Sequence, residues 1–483
     1  MSVDVPLETF WIPPDLIAGE IAVRPELVNP AGGPSIEIRR PELDAARLHA
    51  LTLALRQRAR QQLAKRPIRT IIDALDRVAA LWLDPGLPER RIAVTAISAM
   101  SGFSAPMVEH ALVLEFESSR GIHLERALRS ELGDPAVLDG FVADGLLGGR
   151  LRAIGPELVG GIASANIPGL PHLTVTRALL VKSSCLMRSS RDEPLFLPLF
   201  ARTLARVDPE LAGCLAVVDF DPADERLEQA FLEGLDHLIA YGGAETIASL
   251  SVRLPARVGA TWHGHRLGFT VIARGALAGD LDELAERVAY DFVLFDREAC
   301  LSPQACFVEI GGNASPRDLA AAIGRALERW EERLPARALS TGDLARRRQT
   351  LDTLALRAAA LEPVEVVCDG PRHAVVIEPL DALIPAPRGR FVRVVPVSDA
   401  RAVLPLLEPV RDLLQVAVIE DPEDRIPDLL EALARLGVSR ITRAGLAGLP
   451  SMMWRHDGTP CLARLLRWVG EERSSPAERA AIR

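Results

Sequence analysis

From residue 151 onward the chain repeats one pattern, in which short apolar runs are separated by stretches long enough for a helix. The first series of runs covers 158–162, 185–187, 215–218 and 237–240. The second covers 269–272, 306–310, 364–368, 374–377 and 392–397, with helical patterns at 281–295 and 315–334. Apolar runs of this length indicate strands that are buried on both faces of a parallel sheet. The pattern therefore predicts an α/β fold with two successive lobes.

The residues before 151 show different sequence patterns. Residues 1–42 are rich in proline and irregular, with short extended pieces such as 35–38, and they predict an arm on a larger body. Between 43 and 83 apolar residues recur at helical spacing, and Pro67 divides the run into two helices. More helix is expected from 90 to 145. At the other end, residues 470–483 are polar and predict a frayed tail.

Bulk properties exclude several classes of protein. The net charge is −9 and no run of lysine and arginine stands out. The chain therefore lacks the basic patch that is typical of proteins that bind nucleic acids. No apolar run approaches the ~20 residues of a membrane span, and the first residues show no signal-peptide pattern. The six cysteines lack metal-ligand spacing. We therefore expect a cytoplasmic protein with reduced thiols, no membrane span and no metal.

Cys300 is the first candidate for chemistry. It follows the apolar helical pattern 281–294, and the pair Ser302-Pro303 cannot continue a helix. The cysteine is therefore expected at a junction between helix and loop, where its thiol can face a cleft. The alternative is a buried cysteine with a packing role only.

Two turns between a predicted strand and a predicted helix are further candidates. Asn166 lies in the first, where its amide could donate a hydrogen bond to an oxyanion or simply cap a helix. Gly242 and Gly243 lie in the second, where backbone N–H groups could approach a phosphate. A plain tight turn explains two glycines equally well, and the usual GxGxxG dinucleotide fingerprint is absent.

Eight short segments occur in a recognisable order along the chain: Asn166–Gly169, Arg177–Ser184, Glu193–Phe196, Val207–Leu211, Tyr241–Gly243, Gly264–Arg266, Cys300–Pro303 and Trp454–Gly458. Together they resemble the aldehyde dehydrogenase superfamily and, within it, the fatty acyl-CoA reductases of the LuxC type. The resemblance implies a Rossmann-type cofactor-binding lobe and an α/β catalytic lobe, with N-terminal helices and a C-terminal tail.

The resemblance also implies domains and roles for residues. It divides the chain into the arm 1–42, a helical segment with an NAD(P)-binding domain at 43–262, a catalytic domain at 263–440, and a C-terminal segment at 441–483 that is a candidate for oligomer contacts. Cys300 would be the acyl-accepting nucleophile and Asn166 the oxyanion donor. The expected cofactor-binding residues are Arg188, Ser189, Ser190 and Arg191 at the adenosine ribose, Gly242, Gly243 and Glu245 at the pyrophosphate, and Phe391 at the nicotinamide end.

Two departures from the superfamily bear on the direction of the reaction. The segment that carries a water-activating glutamate in oxidising members contains no carboxylate here, between Ala260 and Gly268. The absence of this glutamate favours a reductase, because a base that activates water would let the acyl-enzyme hydrolyse to the free acid. His263 or His265 could protonate a leaving group instead, or could only line a wall. The glutamate that usually holds the nicotinamide ribose has no counterpart near Phe391.

The expected function is the reduction of an acyl-CoA or acyl-carrier thioester to the aldehyde, with a long acyl chain as the resemblance implies. NADPH is expected as reductant, with NADH as the alternative, because Arg191 stands where NAD-dependent members carry a glutamate. The other interpretation is a solvated arginine whose charge the adjacent Asp192 and Glu193 could neutralise. The rival functions are an oxidative or CoA-acylating aldehyde dehydrogenase, a non-redox cysteine acyltransferase or thioesterase, and a scaffold with a degenerate site. A homodimer or homotetramer and an acyl-transferring partner enzyme are also expected from the resemblance.

Overall fold

The computed structural model describes residues 6–16, 19–28, 35–145, 148–422 and 424–473. The chain divides into two compact units. The first contains 1–101, 112–264 and 459–483, and the second contains 102–111 and 265–458. The division at Gly264 lies two residues from the boundary expected from the sequence. The expected C-terminal segment 441–483 is shared, because residues up to Gly458 belong to the second unit and those from Thr459 to the first.

A small sheet and a group of helices begin the first unit. The three strands are β1 (Leu7–Glu8), β2 (Val23–Val28) and β3 (Ile36–Pro41). The helices are α1 (Ala45–Gln61), α2 (Ile68–Leu83), α3 (Pro88–Ser101), α4 (Ala105–Ser118) and α5 (Gly121–Leu132). Helix α4 is shared between the units, because its residues up to Ala111 belong to the second. The break at Pro67 is confirmed, since α2 begins at the next residue. The helical prediction for 90–145 is correct only to Leu132, after which a 3-10 turn and a strand follow.

The central sheet of the first unit explains the first series of apolar runs. The elements are β4 (Val142–Asp144), β5 (Gly149–Ile154), β6 (Leu158–Ile162), α6 (His172–Leu180), β7 (Ser184–Arg188), α7 (Phe196–Val207), α8 (Pro209–Ala212), β8 (Leu215–Val218), α9 (Glu225–Glu233), β9 (His237–Tyr241), α10 (Ala244–Arg253) and β10 (Gly259–His263). Strands β6 to β10 pair in parallel in the order β10-β9-β6-β7-β8. Every residue of β6, β7 and β8 is buried, as expected for strands covered on both faces.

The second unit contains a seven-stranded sheet. Its elements are β11 (Leu267–Ile272), α11 (Leu281–Val293), β12 (Pro303–Glu309), α12 (Pro316–Arg333), α13 (Thr341–Ala359), β13 (Glu365–Asp369), β14 (His373–Ile377), β15 (Arg390–Val397), α14 (Leu404–Leu407), β16 (Leu414–Glu420), α15 (Pro427–Leu436) and β17 (Arg440–Thr442). The strand order is β13-β14-β15-β12-β11-β16-β17. All pairs are parallel except β13 with β14.

The last described residues return to the first unit. Strand β18 (Arg467–Glu472) pairs antiparallel with β5, which also pairs with β4. Just before it, the Glu131 carboxylate accepts hydrogen bonds from the backbone N–H groups of Cys461, Leu462 and Ala463 at 2.9, 2.7 and 2.8 Å. The prediction of a frayed tail from residue 470 is therefore wrong for 470–472, which lie in β18, and its part from 474 lies outside the described residues. Among the described helices, none has both the length and the apolar character needed to cross a membrane.

Candidate active site

Cys300 lies in the turn that joins α11 to β12. The helix ends at Val293, and the next residues Phe295, Asp296 and Arg297 have φ of 55°, 47° and 63°. This left-handed conformation is costly for residues with a side chain and persists only where surrounding contacts enforce it. Cys300 follows in the turn and β12 begins at Pro303. The expected junction between helix and loop is thus confirmed, with a strand directly after it.

Buried charged side chains hold this turn. Asp296 accepts hydrogen bonds from Arg390 Nε at 2.8 Å and from the Arg337 N–H at 3.0 Å. Arg297 donates to the carbonyl oxygens of Gly389 and Phe391 at 2.8 and 2.9 Å and to Gln304 Oε1 at 2.8 Å. Desolvation lowers the pKa of Arg297 to about 9, yet its hydrogen bonds satisfy the guanidinium. The contacts fix the backbone that carries Cys300.

The thiol of Cys300 is partly buried. Burial, with a smaller contribution from the Asp457 carboxylate, raises the pKa of Cys300 to about 12, against the opposing effects of Arg266 and of the N–H groups of Cys300 and Leu301. The group is therefore a thiol at neutral pH. A cysteine acts as a nucleophile only as its thiolate, so a nucleophilic role for Cys300 would depend on the surrounding charges, which control how readily the thiolate forms.

Two segments that carried the resemblance meet in the second unit. Arg266 Nε donates to Asp457 Oδ1 at 3.0 Å, and Gln415 Nε2 donates to the same oxygen at 2.9 Å. The sequence analysis assigned no role to these three residues. The only available signal was that Arg266 and Asp457 both lie in segments of the resemblance, because 191 residues separate them.

The first unit carries Asn166 and the two glycines at the carboxyl edge of its sheet. Strands β6, β7 and β8 follow one another in one direction, and β9 then pairs on the other side of β6. In open parallel sheets, ligands bind at such a reversal of strand order, beyond the carboxyl ends of the strands. The loop after β6 contains Asn166, and the turn after β9 contains Gly242 and Gly243. The structure therefore brings the two predicted turns to neighbouring strands.

The start of α10 has the features of a phosphate site. Gly243 is the N-cap, and no side chain in the described part of the chain caps the first turn. A Cβ added to Gly243 would meet nothing within 4 Å, so the approach is open. Exposed backbone N–H groups at a helix N-terminus attract anions. Glu245 lies exposed in the same turn and adds a negative charge there. This donor set fits a pyrophosphate, with Glu245 as an unfavourable neighbour.

Of the four residues at 188–191 that were predicted to bind the adenosine ribose, two have side chains that are buried inside the unit. Arg188 is buried and bonds Glu228 Oε1 at 2.9 Å, so its guanidinium is engaged inside the unit. The Ser189 hydroxyl is buried, with Thr9 and Pro194 carbonyls at 3.5 Å. These two side chains face inward and are unsuited to bind a cofactor. Ser190 Oγ accepts the Asp192 N–H at 3.3 Å, which leaves Ser190 and Arg191 as the predicted contacts at the edge.

Arg191 is exposed and pairs with Asp221 Oδ2 at 3.0 Å. The sequence suggested Asp192 and Glu193 as its neutralising partners. Instead, Glu193 is buried and accepts hydrogen bonds from the N–H groups of Leu195 and Phe196 at 2.9 Å each. An exposed ion pair is readily exchanged for another anion, so Arg191 stays available for a phosphate group.

The remaining candidates differ in their surroundings. His263 ends β10, is buried, and stacks on Tyr241 with ring centroids 4.6 Å apart. His265 is exposed on the second unit. Phe391 is buried in a cluster with Leu351, Val364 and Val376. A ring packed in this way offers no face to a ligand, and we do not retain Phe391 among the cofactor contacts.

Solved structures with the same arrangement of elements are aldehyde dehydrogenases. The chain is similar to a mutant of aldehyde dehydrogenase C from Pseudomonas syringae in complex with NAD+ and octanal, with a TM-score of 0.69, 14% identity and 97% of each chain covered. It is also similar to an NADP-dependent glyceraldehyde-3-phosphate dehydrogenase from Bacillus halodurans complexed with NADP, with a TM-score of 0.70, 15% identity, and 93% of this chain and 95% of that chain covered. The chain therefore has the aldehyde dehydrogenase fold, as the sequence predicted.

Comparisons of the sequence identify the family within this fold. Residues 63–468 match the acyl-CoA reductase (LuxC) family, and the chain belongs to this family. A long-chain acyl-protein thioester reductase from Aliivibrio fischeri is 25% identical over 84% of this chain and 82% of its own length. The enzyme of the same name from Vibrio harveyi is 23% identical over 84% of this chain and 83% of its own length. The predicted resemblance is confirmed, and the protein is an oxidoreductase of the acyl thioester reductase type.

Proposed function

We propose that the protein reduces a long-chain acyl thioester to the aldehyde, with Cys300 as the covalent acyl carrier and NADPH as the reductant. The observation that carries the proposal is the position of Cys300, on a turn that buried Asp296 and Arg297 lock in place before β12. Among the six cysteines, Cys185, Cys214 and Cys306 are fully buried. The names of the relatives supply the substrate class.

The first half of the reaction exchanges one thioester for another. The Cys300 sulfur loses its proton and attacks the acyl carbonyl, the bond from carbon to the donor sulfur breaks, and the donor leaves as a thiol that carries the proton. The covalent intermediate divides a difficult reduction into two easier steps. Asn166 is the proposed donor to the oxyanion of the tetrahedral intermediate, on the strength of the resemblance and of its place in the loop after β6.

The second half needs a dinucleotide, and the first unit has residues that fit one. The open N-terminus of α10 at Gly243 suits the pyrophosphate, and Ser190 and Arg191 at the end of β7 suit the adenosine ribose. When bound, reduced nicotinamide supplies the hydride that converts the acyl group to an aldehyde. The Cys300 thiolate is released in this step and takes a proton from water.

The preference for NADPH rests on Arg191. Its guanidinium is exposed, and its partner Asp221 is an exposed carboxylate that a 2′-phosphate can displace. Arginine forks onto phosphate oxygens, whereas the glutamate of NAD-dependent relatives would repel them. Because Arg188 is committed to Glu228, Arg191 carries this preference with the Ser190 hydroxyl as its neighbour.

The acyl donor is proposed as acyl-CoA or an acylated protein. The family description names acyl-CoA and the relatives are named for acyl-protein thioesters. Both donors present the same thioester to Cys300, so turnover with each decides between them. A homodimer or homotetramer and an acyl-transferring partner enzyme remain part of the proposal, and light scattering of the purified protein would measure the former.

The rival functions predict different products. An oxidative dehydrogenase would form free acid from aldehyde and oxidised cofactor, and a CoA-acylating one would form acyl-CoA. A thioesterase or acyltransferase would bind no dinucleotide, so the cofactor would not raise its melting temperature. The absence of a carboxylate between Ala260 and Gly268 favours the reductive direction.

The decisive experiment compares Cys300→Ala with wild type. The variant should form no aldehyde and should gain no acyl mass when it is incubated with a long-chain acyl-CoA without cofactor, while NADPH still raises its melting temperature. Cys368→Ala is the matched control, since it removes another partly exposed thiol of the same unit and should keep full activity. Acylation of the Cys300→Ala protein would show that another group is the nucleophile and overturn the mechanism.

A further inference from the structure

Three neighbouring strands of the second sheet begin at one edge, where Cys300 lies. Strands β12, β11 and β16 are adjacent and parallel, so their first residues meet. Cys300 precedes β12 and Arg266 directly precedes β11. The turn packs closely on β11, because a Cβ added to Gly268 would lie 3.0 Å from the carbonyl oxygen of Leu301. The topology therefore places Arg266 beside the turn of the nucleophile.

Asp457 and its neighbours hold the guanidinium of Arg266 at this edge. Arg266 Nε donates to Asp457 Oδ1 at 3.0 Å, and Arg266 Nη1 donates to the Asp412 carbonyl oxygen at 2.6 Å. Gln415 is fully buried and donates to the same Asp457 oxygen at 2.9 Å. The pairing of β11 with β16 skips Gln415. Such an irregularity changes the direction of the side chain at that position, which here is the amide that donates to Asp457. Hydrogen bonds from neighbouring residues therefore hold both the guanidinium of Arg266 and the carboxylate of Asp457.

The two charges of this pair act on the Cys300 thiol in opposite senses. The Asp457 carboxylate raises the pKa of Cys300, and the Arg266 guanidinium lowers it. Other titratable side chains lie near this pair or near Cys300 in the sequence. Glu298 pairs with Arg337 at 2.5 Å, and His456 Nε2 lies 3.9 Å from Asp457 Oδ2. Asp296 is bonded to Arg390 and Arg337. Arg297 is bonded to Gly389, Phe391 and Gln304.

We propose that Arg266 is the cation that stabilises the Cys300 thiolate, and that Asp457 and Gln415 position it while the carboxylate of Asp457 restrains the thiol between turnovers. The proposal rests on the proposed function in that Cys300 is taken as the nucleophile. In the step concerned, the S–H bond of Cys300 breaks, the proton passes to water and then to the leaving thiolate, and no group is oxidised or reduced. Arg266 and Asp457 are positioning residues, since they act through the Cys300 sulfur.

The test measures how fast iodoacetamide alkylates Cys300 in wild type, Asp457→Asn and Arg266→Gln, from about pH 6 to about pH 10. Mass spectrometry of the peptide that contains Cys300 separates it from the other thiols. At every pH in this range, removing the carboxylate should speed alkylation about tenfold, because a thiol pKa lower by about one unit leaves about ten times more thiolate. Removing the guanidinium in Arg266→Gln should slow alkylation by a similar factor. Arg266→Lys keeps the positive charge and should restore most of the wild-type rate.

The opposite signs separate this charge effect from a structural role. If the ion pair only held the fold together, both variants would change the alkylation rate of Cys300 in the same direction. That result would overturn the proposal, and so would an unchanged rate in both variants. Arg401→Gln and Asp428→Asn are matched controls, since they break another ion pair of the same unit, with a 2.7 Å contact, and should leave Cys300 unchanged. The acyl-labelling experiment reports on the proposed function separately, because alkylation of Cys300 needs neither acyl donor nor cofactor.

Discussion

Replacing Glu193 with glutamine should change how the stability of the protein depends on pH. Glu193 is 9% exposed and accepts two backbone N–H groups at the start of α7. Burial raises its pKa from 4.5 to about 7, although the two hydrogen bonds oppose this. Because the folded-state pKa is the higher one, the contribution of Glu193 to stability is complete below about pH 4.5. It is lost as the pH rises through about 7.

The difference between 4.5 and about 7 sets the size of the effect. At 1.36 kcal/mol per pH unit it corresponds to at most about 3 kcal/mol between acidic and mildly alkaline solution. A glutamine keeps the acceptor oxygen for the two N–H groups but cannot ionise. Its own cost of burial is constant with pH, so the Tm of Glu193→Gln relative to wild type should rise by roughly 3–5 °C from pH 5 to pH 8.

Thermal unfolding of both proteins across this pH range is the assay. Glu210→Gln serves as the control, because its side chain is 78% exposed at the start of α8 in the same unit, and its Tm should follow that of wild type at every pH. A difference between Glu193→Gln and wild type that stays constant from pH 5 to pH 8 would refute the reasoning.

Three further predictions concern the cofactor, the oxyanion and the fold. Arg191→Glu should reduce the ratio of kcat/KM for NADPH to that for NADH by about 10- to 100-fold, and an unchanged ratio would place the 2′-phosphate elsewhere. Asn166→Ala should slow the formation of the acyl-enzyme by about 10²–10³-fold with little change in substrate binding; a full rate would leave Asn166 as a loop residue only. Gly149→Ala should lower the Tm, because its Cβ would overlap the backbone oxygen of Glu471 and force β18 away from β5. An unchanged Tm would mean that this pairing contributes little.

The buried parallel strands were predictable because their signal is local. A run such as Leu215–Val218 is apolar throughout and buried throughout, so the sequence alone identifies it. The turns at Asn166 and at Gly243 were predictable for the same reason, since each follows such a strand directly. Strand β18 was not, because its residues are mostly polar and its partner β5 is distant in the sequence.

The partners of charged residues were the least predictable feature of the site. Sequence proximity suggested Asp192 and Glu193 for Arg191, but Asp221 binds it and Glu193 faces inward. Arg188 matched a cofactor position by its place in the strand, yet a buried carboxylate on α9 engages it. Such pairings depend on which strand ends and helices meet in space, and no spacing in the sequence encodes that.

The return of the chain to its first unit has a consequence for how the protein is made. Arg150 on β5 and Glu471 on β18 are bonded across 321 residues, so a ribosome completes this sheet only after it has synthesised the stretch 265–458 of the second unit. The second unit draws nearly all of its residues from the continuous stretch 265–458 and is fully synthesised earlier. Because protein domains generally fold as units during synthesis, the nascent chain should bury the turn of Cys300 before the first unit gains strand β18.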